Sequence, residues 1–431
     1  VLDPQFLRDH PDRVREAITN KRTGDPAIVD RTLDADRQRR DAITALQALQ
    51  QRQGELSKTI GPLMKAGKRD DAQGLLAEVA EVKEQVKTLE AEAREAEALF
   101  RDLMLEIPNV PDPSVPVGAT PEENMVAFEW GETAAFTGPD GEAFEPLAHW
   151  ELAERHGLID WERGAKVAGA GFPFYIGKGA RLQRALISLF LDLAGEAGYT
   201  EMQAPLLINE ASGVGTGQIP DKEGQMYEAT KDGLYMIPTG EVPVTNFHRD
   251  EIFSAEDLPV LYAAHTPCWR REAGSYGKDV RGLNRLHQFD KVELVRFCTP
   301  EASDDHLEAL REDAERAVQA LGLPYRRLLM CTGDMGFTQS KKYDLEVWSA
   351  GQGMWLEVSS ISNFQAFQAR RAAIRYRPEP DAKPEFVHTL NGSGLALPRI
   401  LAAVLENNQQ ADGSIVLPEP LAQRAGFSRI G

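Results

Sequence analysis

From Ala42 to Leu103 the apolar residues recur in steps of four and three, on either side of a single break. Ala42, Leu46, Leu49, Gln53, Leu56 and Ile60 form the first series. Val82, Val86, Leu89, Ala93, Ala96, Phe100 and Leu103 form the second. That period returns one narrow stripe of a helix to the same side, and one facing helix suffices to bury it. Between the series, GPLMKAGKRDD carries Gly61, Pro62 and Gly67, which predict a break and a reversal. The expectation is an antiparallel two-helix hairpin, with about 30 residues per helix and an arm roughly 45 Å long. Taken alone, such a seam serves dimerisation or scaffolding as well as binding.

The remainder of the 431 residues reads differently. IPNVPDPSVPVGATP holds Pro108, Pro111, Pro113, Pro116 and Pro121, a composition that excludes helix and central strand and predicts an extended linker. Beyond it, short strand candidates (LYMIPT, LYAAHT, HQFDKVELVRF, MWLEVSS) interleave irregularly with helices. Leu182, Leu186, Leu189 and Leu193 mark one helix. SDDHLEALREDAERAVQALGLP marks another, with Ser303 as N-cap and Gly322 and Pro324 beyond its end. TEMQAPLLI is a strand interrupted by Pro205, which suits an edge or an interface. This pattern predicts an α+β body on an antiparallel sheet rather than a regular βαβ winding.

The bulk numbers exclude several classes. There is no apolar run long enough to span a membrane, and the opening VLDPQFLRDH reads as a capped helix rather than an export leader. Cys268, Cys298 and Cys331 are widely spaced and unpaired in sequence, which argues for a reducing cytoplasm and against structural zinc. AGAGFPFYIGKGA fails the spacing of a Walker loop, and TLNGSGLALPRI lacks the strand–GxGxxG–helix context of dinucleotide binding. With 48 basic against 67 acidic residues, the net charge of −19 disfavours global attraction to nucleic acid. A local basic face is still allowed, because docking follows the local field.

Such a face is written in CWRREAGSYGKDVRGLNRLHQFDKVE, which gathers Arg270, Arg271, Arg281 and Arg285 around a loop bearing Gly274, Gly277 and Gly282. The flanking alternation predicts two antiparallel strands that bring Arg270 and Arg285 toward one polyanion. Surface ion pairing would explain the same residues equally well.

Here the residues resemble a family. Arg270-x-Glu272, the glycine loop and Arg285-x-His287-Gln288-Phe289 are similar to motif 2 of class II aminoacyl-tRNA synthetases, and the wording resembles the seryl branch. GYTEMQAPLLI is similar to motif 1, with Pro205 at the dimer-interface position. IPTGEVP resembles the branch's serine loop, LEVSSISNFQAFQARR the stretch with the metal-site carboxylate, and NGSGLALPRILAAVLENNQ motif 3. The resemblance implies three parts: a tRNA-binding helical domain with a coiled-coil hairpin at 1–106, the Pro-rich linker at 107–121, and a class II catalytic domain at 122–431. It implies a serine–tRNA ligase that forms seryl-adenylate from L-serine and ATP, then charges tRNA(Ser) and also tRNA(Sec). A cytoplasmic homodimer with no membrane partner is implied as well.

The resemblance also assigns roles. Activation joins a carboxylate to the α-phosphorus and expels pyrophosphate, so placed cations and a metal ion do most of the work. Arg270 is implied at the α-phosphate and the serine carboxylate, and Arg285 and Arg399 at the β- and γ-phosphates. Arg399 is expected in a helix behind a Gly392–Gly394 turn. Phe289 would stack on the adenine, Glu272 would accept from its exocyclic amine, and Arg271, Val358 and Ser359 complete the ATP set. Glu357 and Ser360 offer hard oxygens for Mg²⁺; Arg270, Glu357 and Arg399 are the implied catalytic residues. The serine pocket is assigned to Thr239, Gly240, Glu241, Glu293, Asn391 and Ser393, together with Arg270. Gly240 departs from the family's usual Ala. Lys58, Lys65, Lys68 and Arg69 near the hairpin tip become candidate phosphate contacts. Arg370 and Arg371 would meet the tRNA acceptor end or brace the sheet. Two other readings stand beside this one: a relative that loads amino acids onto a carrier protein, and a non-catalytic RNA-binding adaptor.

Overall fold

The computed structural model describes residues 1–133, 135–221, 224–273 and 281–431. Gly274 and Gly277 of the arginine loop lie outside the described residues, as do Tyr276 and Lys278. The chain divides into two compact units, Val1–Pro108 and Asn109–Gly431.

In the first unit, α1 (Pro4–Asp9) is capped by the Asp3 side chain and α2 (Pro11–Lys21) follows it. Then α3 (Ile28–Lys65) and α4 (Arg69–Leu105) pair as the hairpin, with 38 and 37 residues, longer than the sequence pattern suggests. The seam is as predicted: Leu56, Val82 and Val86 are buried, with Leu46 and Leu49 packed against them. It reaches further, through Leu75 and Val79. The break, however, is not at Gly61 and Pro62. Helix α3 runs through both and ends at Lys65, and the reversal falls on Ala66 to Lys68, with Gly67 at φ +72°. Pro62 has no N–H to donate to the Lys58 carbonyl, and the helix continues for only three residues beyond it. Gly67 has the left-handed conformation that a side chain would resist.

The second unit is built on one eight-stranded sheet. Its strands are β1 (Met125–Trp130), β2 (Thr200–Met202), β3 (Val260–Trp269), β4 (Gln288–Cys298), β5 (Tyr325–Leu329), β6 (Lys341–Ser349), β7 (Met354–Gln365) and β8 (His388–Ala396). They lie in the order β1-β5-β6-β7-β8-β4-β3-β2, antiparallel except for the edge pair β2–β3. TEMQAPLLI is thus split at Pro205: Thr200–Met202 forms the sheet edge, and Leu207–Asn209 pairs elsewhere with Leu234–Met236.

One face of this sheet is apolar. Val292, Leu294, Leu345, Leu356, Val358, Ile361 and Leu390 pack there with the helices Lys178–Glu196, Ser303–Ala320 and Leu397–Asn407. Ser303 is the first residue of its helix rather than the cap; Ala302 holds the cap position, and the Ser303 hydroxyl accepts from Asn363. Gly392 and Gly394 form no turn. Both lie inside β8, where a methyl group would press on Leu310 at 3.2 Å and on Leu294 at 3.3 Å. Close packing, not conformation, calls for glycine there. The proline-rich stretch is extended but docked: Asn109 N–H donates to Phe337, Asp112 N–H to Ser340, and Val115 packs with Leu328, Met330 and Met335.

Candidate active site

The opposite sheet face is polar around β6, β7 and the neighbouring parts of β8 and β4, giving way to a second apolar cluster at Val295 and Phe297, and the strand register explains the polar part. Ser360 stands opposite Asp344, and Glu357 opposite Glu346. Asp344 and Glu346 are two apart on β6 and share a face, yet Glu357 and Ser360 are three apart, which in a regular strand would separate them. A register shift on β7 resolves this, since Leu345 pairs with Ser359 and the next pair is Glu346 with Glu357. Val358 is the extra residue. The bulge turns both oxygen-bearing side chains to the same side, a common device beside functional sites. Further along, Ser362 pairs with Asn391, and Ser393 with Glu293, so β8 and β4 add Asn391, Ser393, Glu293 and Lys291 to this face.

Val358 and Ser359 fall on the apolar side, buried, with the Ser359 hydroxyl donating to the Ser393 carbonyl. Their side chains do not reach the polar face, so only their backbone is available to a ligand there.

Strands β3 and β4 form the predicted antiparallel pair, but the arginines flank the strands rather than lying on them. Arg270 directly follows β3 and donates its N–H to the His287 carbonyl at 3.0 Å; Arg285 precedes β4. The Arg270 guanidinium donates to the Pro238 carbonyl and lies 5.2 Å from the centre of the Phe289 ring. Arg285 donates to Glu272 at 3.0 Å. Glu272 has φ +50°, outside the comfortable range of a side-chain-bearing residue. Arg271 is exposed. His287 is held from behind: its ring stacks on Phe172 and its Nδ1 meets the Tyr227 hydroxyl at 2.8 Å.

Arg399 closes the other side. Its Nε donates to the Asn284 carbonyl at 3.1 Å and its Nη1 to the Glu357 carbonyl at 2.7 Å. The Glu357 side chain is about half exposed, and Lys342, Arg399 and Arg270 outweigh its partial desolvation and hold the carboxyl below its ordinary range. Arg270 and Arg399 therefore act on one carboxylate, from two distant parts of the sequence. Behind it, burial raises the Asp344 carboxyl against the opposing pull of Lys342, 3.0 Å away.

Next to these cations lies a buried polar pocket. Glu293 is fully buried, and its Oε1 accepts from Asn391 at 2.8 Å. Its Oε2 pairs with Lys291 at 2.5 Å and accepts from Thr239 at 3.3 Å. Glu241 accepts from Asn391 at 3.0 Å and from Gln368, which in turn accepts from Thr389. Burial and the charge on Glu293 push the Glu241 carboxyl up to about 7. Gly240 packs so close that a methyl group would lie 3.1 Å from Thr266 Oγ1 and 3.2 Å from Glu293 Cβ. Asn391 Oδ1 is buried and makes no hydrogen bond. Such an acceptor is costly to leave unmade and calls for a donor.

Sequence reasoning does not single out Lys291 or Gln368. Lys291 is legible in principle, because it stands two residues before Glu293 and so shares its face. Gln368 is not; the helix Phe367–Ala372 brings it in from a different direction. Arg371 braces: burial lowers its guanidinium to about 10, and it donates to the carbonyls of Val214 and Ile219. Arg370 lies over the Phe386 ring at 4.5 Å.

Comparisons with known proteins identify the family. Residues 225–408 match the tRNA synthetase class II core domain (G, H, P, S and T), and residues 1–111 match the seryl-tRNA synthetase N-terminal domain. A protein of Salinibacter ruber named "Serine--tRNA ligase" is 63% identical over 431 residues, covering 100% of this chain and 99% of its own. One of the same name from Geobacillus sp. is 50% identical over 427 residues, 99% of each chain. Among solved structures, the seryl-tRNA synthetase of Pyrococcus horikoshii complexed with ATP superposes with a TM-score of 0.92 at 34% identity, covering 100% of this chain and 99% of that one. The cytoplasmic serine-tRNA ligase of Naegleria fowleri in complex with AMP gives 0.87 at 27% identity, covering 100% and 98%.

Proposed function

The chain belongs to the seryl-tRNA synthetase family of class II aminoacyl-tRNA synthetases, and from that premise we propose how its residues divide the work. Its activity is that of a serine–tRNA ligase: an ATP-dependent aminoacyl-tRNA ligase acting on serine. Arg270 holds the serine carboxylate against the α-phosphate, where two anions must meet, using a planar fork suited to both. Arg285 and Arg399 hold the outer phosphates. Phe289 offers its ring to the adenine once Arg270 has turned to the substrate, and Glu272 accepts from the exocyclic amine once Arg285 has turned to phosphate.

The observation that carries this reading is Arg399 held against Glu357, with Arg270 over the Phe289 ring, beside the pocket of Glu293 and Asn391. Glu357 and Ser360, together on the bulged face, suit a hard divalent cation. Among the described residues there is no group of three or more acids, histidines or cysteines that could hold a metal. A Mg²⁺ shared with nucleotide needs fewer protein ligands, because phosphate oxygens and water complete its shell. When bound, Mg²⁺ would neutralise charge developing on the leaving pyrophosphate.

In the pocket, Asn391 Oδ1 and the open lone pair of Glu293 Oε1 take the serine ammonium and hydroxyl. A site built to hydrogen-bond a hydroxyl rejects alanine by up to about 10⁴–10⁵, because its buried groups would be left unpaired. Thr239 has a different part from the one expected. Its hydroxyl accepts from Lys291 at 2.8 Å and from Glu241 N–H at 3.3 Å, and donates to Glu293, so it braces the pocket rather than meeting serine.

Residues 1–106 serve as the tRNA-binding domain and 122–431 as the catalytic domain. The hairpin engages the long arm of tRNA(Ser), and of tRNA(Sec) where the host makes one. Two copies pair as a homodimer around Pro205, where Leu206 and Leu207 are exposed. The enzyme works in the cytoplasm; no helix among the described residues is long and apolar enough to cross a membrane. The test is exchange of pyrophosphate into ATP, which must require serine and Mg²⁺ and must fall by at least about 10²-fold in Arg270→Ala. Exchange that persists without serine would overturn the assignment.

A further inference from the structure

Lys291 is 5% exposed, and its ammonium lies between Glu293 Oε2 and Thr239 Oγ1, at 2.5 and 2.8 Å. We propose that Lys291 is a positioning residue for serine: its ammonium commits Glu293 Oε2 and the Thr239 hydroxyl, so that Glu293 presents the remaining lone pair of Oε1 to the substrate's ammonium. This rests on reading the pocket as the serine site.

The charges make the case. The pocket contains two carboxylates, Glu241 and Glu293, bridged by the neutral amide of Asn391. Two carboxylates in one enclosure, without a cation, share a proton, and that proton occupies an acceptor the ammonium needs. Lys291 opposes this, drawing down the Glu241 carboxyl that burial and Glu293 push up. Among the described residues, Arg270 and the buried Cys268 thiol of β3 also bear on the pair. Neutral neighbours come from each remaining side: Thr239, Asn391 and Gln368. Lys291 also fixes the donors. By donating to Thr239 it turns that residue's own proton to Glu293, so Oε2 takes two partners while Oε1, which accepts from Asn391, has a lone pair to offer the ligand.

The experiment uses the full-length enzyme and pyrophosphate exchange, comparing wild type with Lys291→Met. The expected result is a KM for serine raised at least about tenfold with the KM for ATP within about twofold. The acid limb of kcat/KM for serine should also move up by about one pH unit. Lys291→Arg, which retains the charge, should return that limb to its wild-type position even if its bulk raises KM. If Lys291→Met does not fold, Lys291→Gln deletes the charge while keeping a donor and reads the same limb. Loss of serine and ATP parameters by a common factor, with the limb unmoved, would mean a merely structural lysine and would overturn the proposal. Glu293→Gln separates the two readings. If it leaves the serine KM unchanged, the pocket assignment itself is wrong; if it raises KM while Lys291→Met does not, only the role of Lys291 falls.

Discussion

The Asn391 carboxamide donates to Glu241 at 3.0 Å and to Glu293 at 2.8 Å, so a single neutral side chain bridges two buried carboxylates. Both of its N–H groups are committed, which fixes the amide's orientation. Its oxygen is thereby turned away from both acids and buried without a partner.

Replacing that amide with an apolar group of similar size should therefore be severe for serine and mild for ATP. Hydrogen bonds to charged groups are worth about 1.5–3 kcal/mol each. Asn391→Leu is expected to lower kcat/KM for serine by roughly 10- to 100-fold, with the KM for ATP little changed. Titrating each substrate in pyrophosphate exchange checks it; equal losses for both substrates would refute the bridge.

The Glu241 carboxyl gives a pH prediction. Its folded value is about 7 against an ordinary 4.5, so between these values the folded protein holds a proton that the unfolded chain has lost. Folding stability from this group is complete below pH 4.5 and declines as pH rises toward 7, by a total of about 3 kcal/mol. Glu241→Gln cannot titrate. The stability of the variant minus that of wild type, from urea unfolding, should therefore increase between pH 5 and pH 8. A constant difference would show that Glu241 titrates normally.

Arg285 and Glu272 form an ion pair at 3.0 Å with the arginine 40% exposed. Pairs of this kind contribute about 0–1 kcal/mol and are screened by salt. Arg285→Ala should thus barely shift the melting temperature, while raising the KM for ATP about tenfold as a phosphate-binding guanidinium is lost. A large drop in melting temperature with ATP unaffected would make the pair structural instead.

The hairpin seam makes a separable prediction. Val86 is buried against the facing helix, and a carboxylate there would be an unpaired buried charge. Val86→Asp should disrupt the hairpin and reduce charging of tRNA(Ser) by more than about tenfold, with serine-dependent pyrophosphate exchange within about twofold of wild type. Parallel loss of both reactions would show that the arm does not act through tRNA.

Much of this organisation is legible in the order of the amino acids. The seam period picks out Leu56, Val82 and Val86, and the alternation around Arg270 and Arg285 identifies β3 and β4. The arginines themselves fall just outside the strands, because strand ends depend on where pairing stops. Pro62 does not break its helix at once; α3 runs three residues past it and ends at Lys65, close to but not at the expected break. Gly392 and Gly394 suggest a turn by residue type, although packing against Leu310 and Leu294 is what excludes a side chain there. The proline-rich stretch looks free because composition does not report docking.

What the sequence alone determined were properties carried by local period and residue type: the two-helix seam, the strand alternation, and the supply of guanidiniums and carboxylates in a recognisable order. Tertiary structure alone decided which of them meet. The bulge at Val358 turns Glu357 and Ser360 to one side, and register sets Glu293 beside Ser393. Lys291, Asn391 and Gln368 then close on two acids from separate elements. Hydrogen bonds and charge pairing act over a few ångströms, and only the folded chain brings residues a hundred positions apart within that reach.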